Sequence, residues 1–212
     1  MTQLEFMNQT ILGNTLLQWS FAITTLLLGF ILLRLAKRIA VNRLAALASM
    51  TTTQWDDIII GAIKKTGSLF LLVVSLFLGS MFLQLPDRVH SIIKVTFIIF
   101  LLIQLGIWLT VITTSMVEQY SKQTLAKNPA AATTMNAVGF IGRIVIWSVI
   151  TLVALDSMGI NITTVVAGLG IGGVAVALAV QNILGDLFAS LSIILDKPFV
   201  IGDFLIIDEH LG

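Results

Sequence analysis

No cysteine occurs in this chain, which excludes disulfides, thiolate metal sites and a cysteine nucleophile. Histidine is almost as scarce: His90 and His210 are isolated and cannot build a histidine metal cluster. Charge is scarce too. Asp, Glu, Lys and Arg make up 11% of the 212 residues, whereas a water-soluble domain carries roughly a quarter. The formal net charge is +1 with no dense basic run, so nothing points to a nucleic-acid partner. What fills the chain instead is apolar, with 57% hydrophobic residues and a mean hydropathy of +1.02. Such a surface must mostly face lipid or other apolar helices, and the expected fold class is an all-α membrane protein.

A hydrocarbon core about 30 Å thick takes roughly 20 apolar residues in helix. Five stretches meet that length: residues 15–33, 66–85, 92–117, 137–155 and 162–195. The last is too long for one perpendicular helix and must tilt, bend or leave the membrane. The first does not read as a signal peptide, because Glu5 precedes it without any Lys or Arg and the positive charge follows it instead.

Orientation follows from the cations in the short loops. Arg34, Lys37, Arg38, Arg43, Lys64 and Lys65 lie between the first two spans, Lys122 and Lys127 between the third and fourth, and Lys197 after the fifth. The opposite side holds Arg88 alone. This imbalance puts the N-terminus outside and the C-terminus in the cytosol of a multi-pass protein of the cell (inner) membrane. Within the first loop, Asp56 and Asp57 open an apolar run that Lys64 and Lys65 close. A helix dipole favours that order of charges, and a cation site is the alternative use of the acid pair. Pro86-Asp87 predicts a turn, and residues 122–136, with Asn128-Pro129, read as a polar connector. Arg143 lies about 9 Å inside the fourth span, and Lys94 lies at the outer end of the third. Both are expected to snorkel to lipid phosphates, with a gating role or an internal pair as alternatives for Arg143.

The most unusual stretch is the Gly/Ala-rich run Val165–Gln181. On a helical wheel centred on Val174, Ala167, Ile171, Leu178, Gln181 and Gly185 share a stripe from about −20° to +60°. Gly170, Gly173 and Ala177 form a small face on one side of it, and Gly168, Gly172, Ala175 and Ala179 form another on the far side. Leu169, Val176, Val180 and Ile183 occupy the back. Small faces let membrane helices approach closely. Two different small faces fit a helix packed against a left and a right neighbour, a heterologous contact that closes into a ring if the rotation permits. The stripe would then line the ring axis, where stacked Val174 and Leu178 side chains make an apolar constriction that blocks ions by dewetting. A tightly packed core helix in a single-chain transporter or scaffold fits the same wheel.

The alternatives lack their usual chemistry. A secondary transporter needs polar or ionisable groups near the midplane, and an embedded enzyme needs paired acids, Ser with Lys, or His ligands inside its spans. None is visible in the sequence. No catalytic residue, metal site, cofactor or small-molecule substrate is therefore expected, and a non-conducting membrane scaffold is the remaining rival.

From Gly170 through Asp203 the sequence resembles the pore helix and following signature of the small-conductance mechanosensitive channel (MscS) family. The Gly/Ala ladder, the Ala179-Val180-Gln181 break and the motif Lys197-Pro198-Phe199-Val200-Ile201-Gly202-Asp203 carry the resemblance. The third and fourth spans match only in hydropathy and position. The resemblance implies a homoheptamer embedded in membrane lipids, whose two apolar gate rings fall on Val174 and Leu178. It also implies a kinked pore helix. The family often has Gly directly after the Gln, where this chain has Asn182, and its later kink Gly falls on Ser190, so the bend is expected at Asn182 and Gly185.

The family core has three spans, which makes the first two here additional. The implied organisation is residues 1–91 as an extra helical pair with a cytosolic loop and 92–161 as the sensor helices. Residues 162–196 become the pore helix with an interfacial continuation, and 197–212 the start of a cytosolic β-domain. A chain ending at Gly212 is expected to be a truncated sequence without the family's vestibule. The implied function is a channel that membrane tension opens, releasing ions and small osmolytes on hypo-osmotic shock.

Overall fold

The computed structural model describes residues 10–48, 54–125, 129–198, 204, 206–207 and 210–211. Among them the helices are α1 (Leu16–Ala48), α2 (Gln54–Lys64), α3 (Ser68–Ser80), α4 (Asp87–Leu125), α5 (Pro129–Ser157) and α6 (Thr163–Asp196). Two antiparallel ladders flank them: β1 (Thr10–Ile11) with β2 (Asn14–Thr15), and β3 (Ile206–Ile207) with β4 (His210–Leu211). The chain divides into two compact units, Met1–Ile160 and Asn161–Gly212.

Four helices are long and apolar enough to cross a membrane, and the pair α2–α3 brings the number to five if it counts as one span. The second span, expected over residues 66–85, is shorter than that in the structure. The two helices of the pair meet at a bend of 70°, and α3 is only 13 residues long. It stops at Ser80, where Met81, Phe82 and Leu83 donate back to Leu78, Gly79 and Ser80 carbonyls in tight i→i+3 turns. Pro86 then offers its carbonyl to the N–H groups of Val89 and His90 as α4 begins.

The helices α1, α4 and α5 exceed the expected spans. α1 continues beyond Arg34 to Ala48, because the segment is rich in Ala, Leu, Arg and Lys, which are strong helix formers. α5 begins at Pro129, inside the expected connector, and proline suits a first helical position because its missing N–H has no intrahelical partner to lose. In α2, Asp56 and Asp57 occupy the first turn and Lys64 the last, the distribution the dipole prefers.

The first unit is held by close helix contacts and a few buried polar groups. α4 packs along α5, α1 along α3, and α2 and α3 both touch α4. Phe77 of α3 stacks on Phe97 of α4 with ring centroids 4.4 Å apart. The break between α2 and α3 would leave backbone groups unsatisfied in an apolar setting, which is costly. Side chains from two other helices meet that need. Gln104 of α4 is 2% exposed; its Oε1 accepts from the Gly67 N–H at 2.9 Å, and its Nε2 lies 3.5 Å from the Lys65 carbonyl as donor. Trp108 Nε1 donates to Thr66 Oγ1 at 3.1 Å, and Lys37 of α1 donates to the Thr66 carbonyl. At the other end, buried Asn14 bonds the backbone of Gln84 in both directions, fastening β2 to the turn before α4.

In the second unit, the expected cytosolic β-domain amounts, among the described residues, to the two-residue ladder Ile206–Leu211 and Ile207–His210. The sequence of Phe199–Ile207 has strand character. Phe204 carries no strand pairing, and residues 199–203 lie outside the described residues.

Candidate functional site

The Gly/Ala-rich run lies in α6, whose start is fixed by local chemistry. Asn161 Oδ1 accepts from the Thr163 N–H at 2.9 Å, and the Ile162 carbonyl accepts from Val166 at 2.9 Å. At the other end Lys197 adopts the left-handed conformation (φ 45°, ψ 54°) and donates its N–H to the Ile193 carbonyl, a common helix stop. Pro198 follows and cannot continue the helix. At 34 residues, α6 is about 51 Å long against a hydrocarbon core of about 30 Å. A straight span would need a tilt of about 54°, beyond the usual range of about 0–40°, so part of α6 must lie outside the core.

The helix is unbroken through Asn182, Gly185 and Ser190. One Gly costs only about 1 kcal/mol against Ala in a helix interior, too little to interrupt 34 residues of otherwise continuous hydrogen bonding. Ser190 Oγ donates to the Asp186 carbonyl one turn back, and Ser192 Oγ donates to Asp196 Oδ2 at 2.8 Å.

Helical periodicity sets Ala167, Ile171, Val174, Leu178 and Gln181 on one stripe. Ile171, Val174 and Leu178 are 75%, 62% and 66% exposed. Residues on both small faces are also exposed, and α6 has no buried residue at all. The glycines sharpen this point. A Cβ added at Gly168, Gly170, Gly172, Gly173 or Gly185 would meet nothing within 4 Å. In the first unit the opposite holds: at Gly106 it would come within 2.5 Å of Ile150 Cδ1, and at Gly139 within 2.8 Å of Val117 Cγ2. There, glycine permits close approach between neighbouring helices. In α6 four glycines within six residues lower helix propensity with no close contact among the described residues of its own unit to offset it.

The two cations expected at lipid are placed differently. Lys94 is exposed on α4. Arg143 is half-buried and turns toward α4, its guanidinium 3.5 Å from Thr114 Oγ1, beside Glu118 and Asn136 in a pocket of about 270 Å³. Of the signature motif, Pro198 is described, while Phe199, Gly202 and Asp203 lie outside the described residues. Gln104 was missed by sequence reasoning altogether. A lone Gln within an apolar span was the available signal, because polar groups at membrane depth need partners.

Comparison with known proteins bears on the same helix. Residues 140–181 match the family described as mechanosensitive ion channel, transmembrane helices 2/3. The chain is 27% identical over 209 residues to the large-conductance mechanosensitive channel MscMJLR of Methanocaldococcus jannaschii, covering 97% of this chain and 58% of that protein. It is 30% identical over 216 residues to the small-conductance channel MscMJ of the same organism, covering 94% and 57%. The low conductance mechanosensitive channel YnaI of Escherichia coli is 30% identical over 90 residues, 42% of this chain and 26% of that protein. The chain thus spans a little over half the length of the two archaeal relatives.

Proposed function

The chain belongs to the MscS family of mechanosensitive channels, and on that premise we propose that copies of it form a ring whose α6 helices enclose an ion pore opened by membrane tension. The observation that carries this reading is the state of α6. The family match ends at Gln181, the same segment whose glycines have room for a Cβ with nothing within 4 Å among the described residues. Neighbouring copies supply partners for both small faces at once, one on each side, and leave Ile171, Val174 and Leu178 facing the axis.

In the closed state the Val174 and Leu178 rings form a dry constriction between Ala167 and Gln181. Tension favours the state with the larger in-plane area, so it acts through an outward shift and tilt of the spans. The small faces slide past one another as the bore widens and wets. Assembly bends α6 near Asn182 and Gly185, weak helix formers that follow the Ala-rich run, and the segment beyond lies along the cytosolic membrane surface. Residues 1–91 form an additional helical pair, 92–161 the sensor helices, and 197 onward enters a cytosolic β-domain through Pro198, Phe199, Gly202 and Asp203. The ring is a heptamer in the inner membrane, with the N-terminus outside. It discharges ions and small osmolytes on hypo-osmotic shock.

Patch recording under suction, on membranes carrying the full-length protein and lacking other stretch-activated channels, tests the proposal. Stretch-dependent currents are expected, and their absence at suctions up to patch rupture would overturn it.

A further inference from the structure

The largest group of cations among the described residues belongs neither to α6 nor to the segment after it. Arg34, Lys37 and Arg38 of α1 and Lys64 of α2 line one cavity of about 640 Å³. No acidic residue lines it with them. Arg34 and Arg38 are one turn apart and so share a face of α1, while Lys64 comes from a second helix. Lys37 is held in place by its bond to the Thr66 carbonyl. The lining also changes character along α1. Phe30 and Ile31 come first, one turn before Arg34 and Leu35, and Leu71 of α3 adds to the apolar part. An apolar floor leading into convergent cations is complementary to an amphiphile with a phosphate head, and a free anion would leave the apolar part unused. This transition falls where the apolar run of α1 ends, the level at which lipid headgroups meet a spanning helix.

We propose that this cavity holds the headgroup phosphate of an anionic phospholipid, with Arg34 and Arg38 on the phosphate, Lys64 completing the charge, and the upper acyl segment against Phe30 and Leu71. Basic pockets between membrane helices bind phosphate headgroups by this chemistry. The site depends on α1 spanning the bilayer and not on the ring conducting.

The test is native mass spectrometry of the purified, detergent-solubilised protein titrated with phosphatidylglycerol, with phosphatidylcholine of the same chains, and with inorganic phosphate. Phosphatidylglycerol is expected to bind in preference to phosphatidylcholine. Its affinity should fall about fivefold for each cation removed in Arg34→Gln and Arg38→Gln, and recover in Arg34→Lys. Arg88→Gln, the same charge change at a distant exposed position, should leave binding intact. Lys64→Gln makes the measurement from the second helix should the α1 variants fail to fold. Undiminished phosphatidylglycerol binding in the Gln variants, equal binding of the two lipids, or displacement of the lipid by inorganic phosphate would each overturn the assignment.

Discussion

Gly79 of α3 lies so close to Ala22 of α1 that a Cβ at position 79 would stand 2.7 Å from the Ala22 carbonyl oxygen. The obstacle is backbone, so it cannot rotate away. Gly79→Ala should therefore destabilise the protein by about 1–3 kcal/mol through overpacking, outweighing the gain in helix propensity. Gly29 offers the contrast: its added Cβ would lie 3.4 Å from Ser75 Oγ, and Gly29→Ala should be near neutral. Melting temperatures read by fluorescence-detected gel filtration would give the order of the two, and equal shifts would refute it.

The Gln104 side chain is the main support of the α2–α3 break. Gln104→Leu leaves the Gly67 N–H without its partner and should cost about 1–3 kcal/mol, the desolvation penalty of an orphaned group. Trp108→Phe removes one neutral bond, to Thr66, and should cost less, about 0.5–1.5 kcal/mol. Hydrogen exchange over residues 61–71 reports the same effect locally, with faster exchange expected in Gln104→Leu.

Assembly and subunit folding should separate at Gly172. Nothing within 4 Å would meet a Cβ there, so Gly172→Leu is expected to leave a single subunit intact while preventing ring closure. Mass measurement of the solubilised protein should give the ring for the parent chain and smaller species for the variant. A variant that still forms the full ring would show that this face does not pack between copies.

Leu178 gives the functional test of the gate. Leu178→Ser removes about 2 kcal/mol of apolar transfer free energy per subunit, repeated around the ring, and should lower the suction needed for opening while leaving the open conductance near the parent value. Val174→Ser should act in the same direction. Unchanged thresholds in both would remove these residues from the gate.

The span now seen as α6 was legible to within a residue at either end, because polarity changes abruptly at Asn161 and at Lys197. The length of α1 was not. Hydropathy falls at Arg34 while helix propensity does not, and the helix follows propensity. The α2–α3 break was legible in Lys64 and Lys65, which close one apolar run where the next begins, but the way it is satisfied was not: Lys37, Gln104 and Trp108 are distant in sequence from the break. For the candidate site, the wheel follows from helix geometry alone, so the stripe through Val174 and Leu178 needed only the residue order. The inward turn of Arg143 toward Thr114 depends on which face of α5 meets α4, and hydropathy carries no such information.

The shortness of α3 has a mechanical consequence. Its 13 residues reach about 20 Å, roughly 10 Å less than the hydrocarbon layer is thick. Lipids beside it must compress or tilt their chains to cover that difference, at a cost that grows with acyl-chain length. Where α3 faces lipid, the subunit would respond to bilayer thickness, a variable distinct from lateral tension, and membranes of shorter-chain lipids would fit this flank with less distortion.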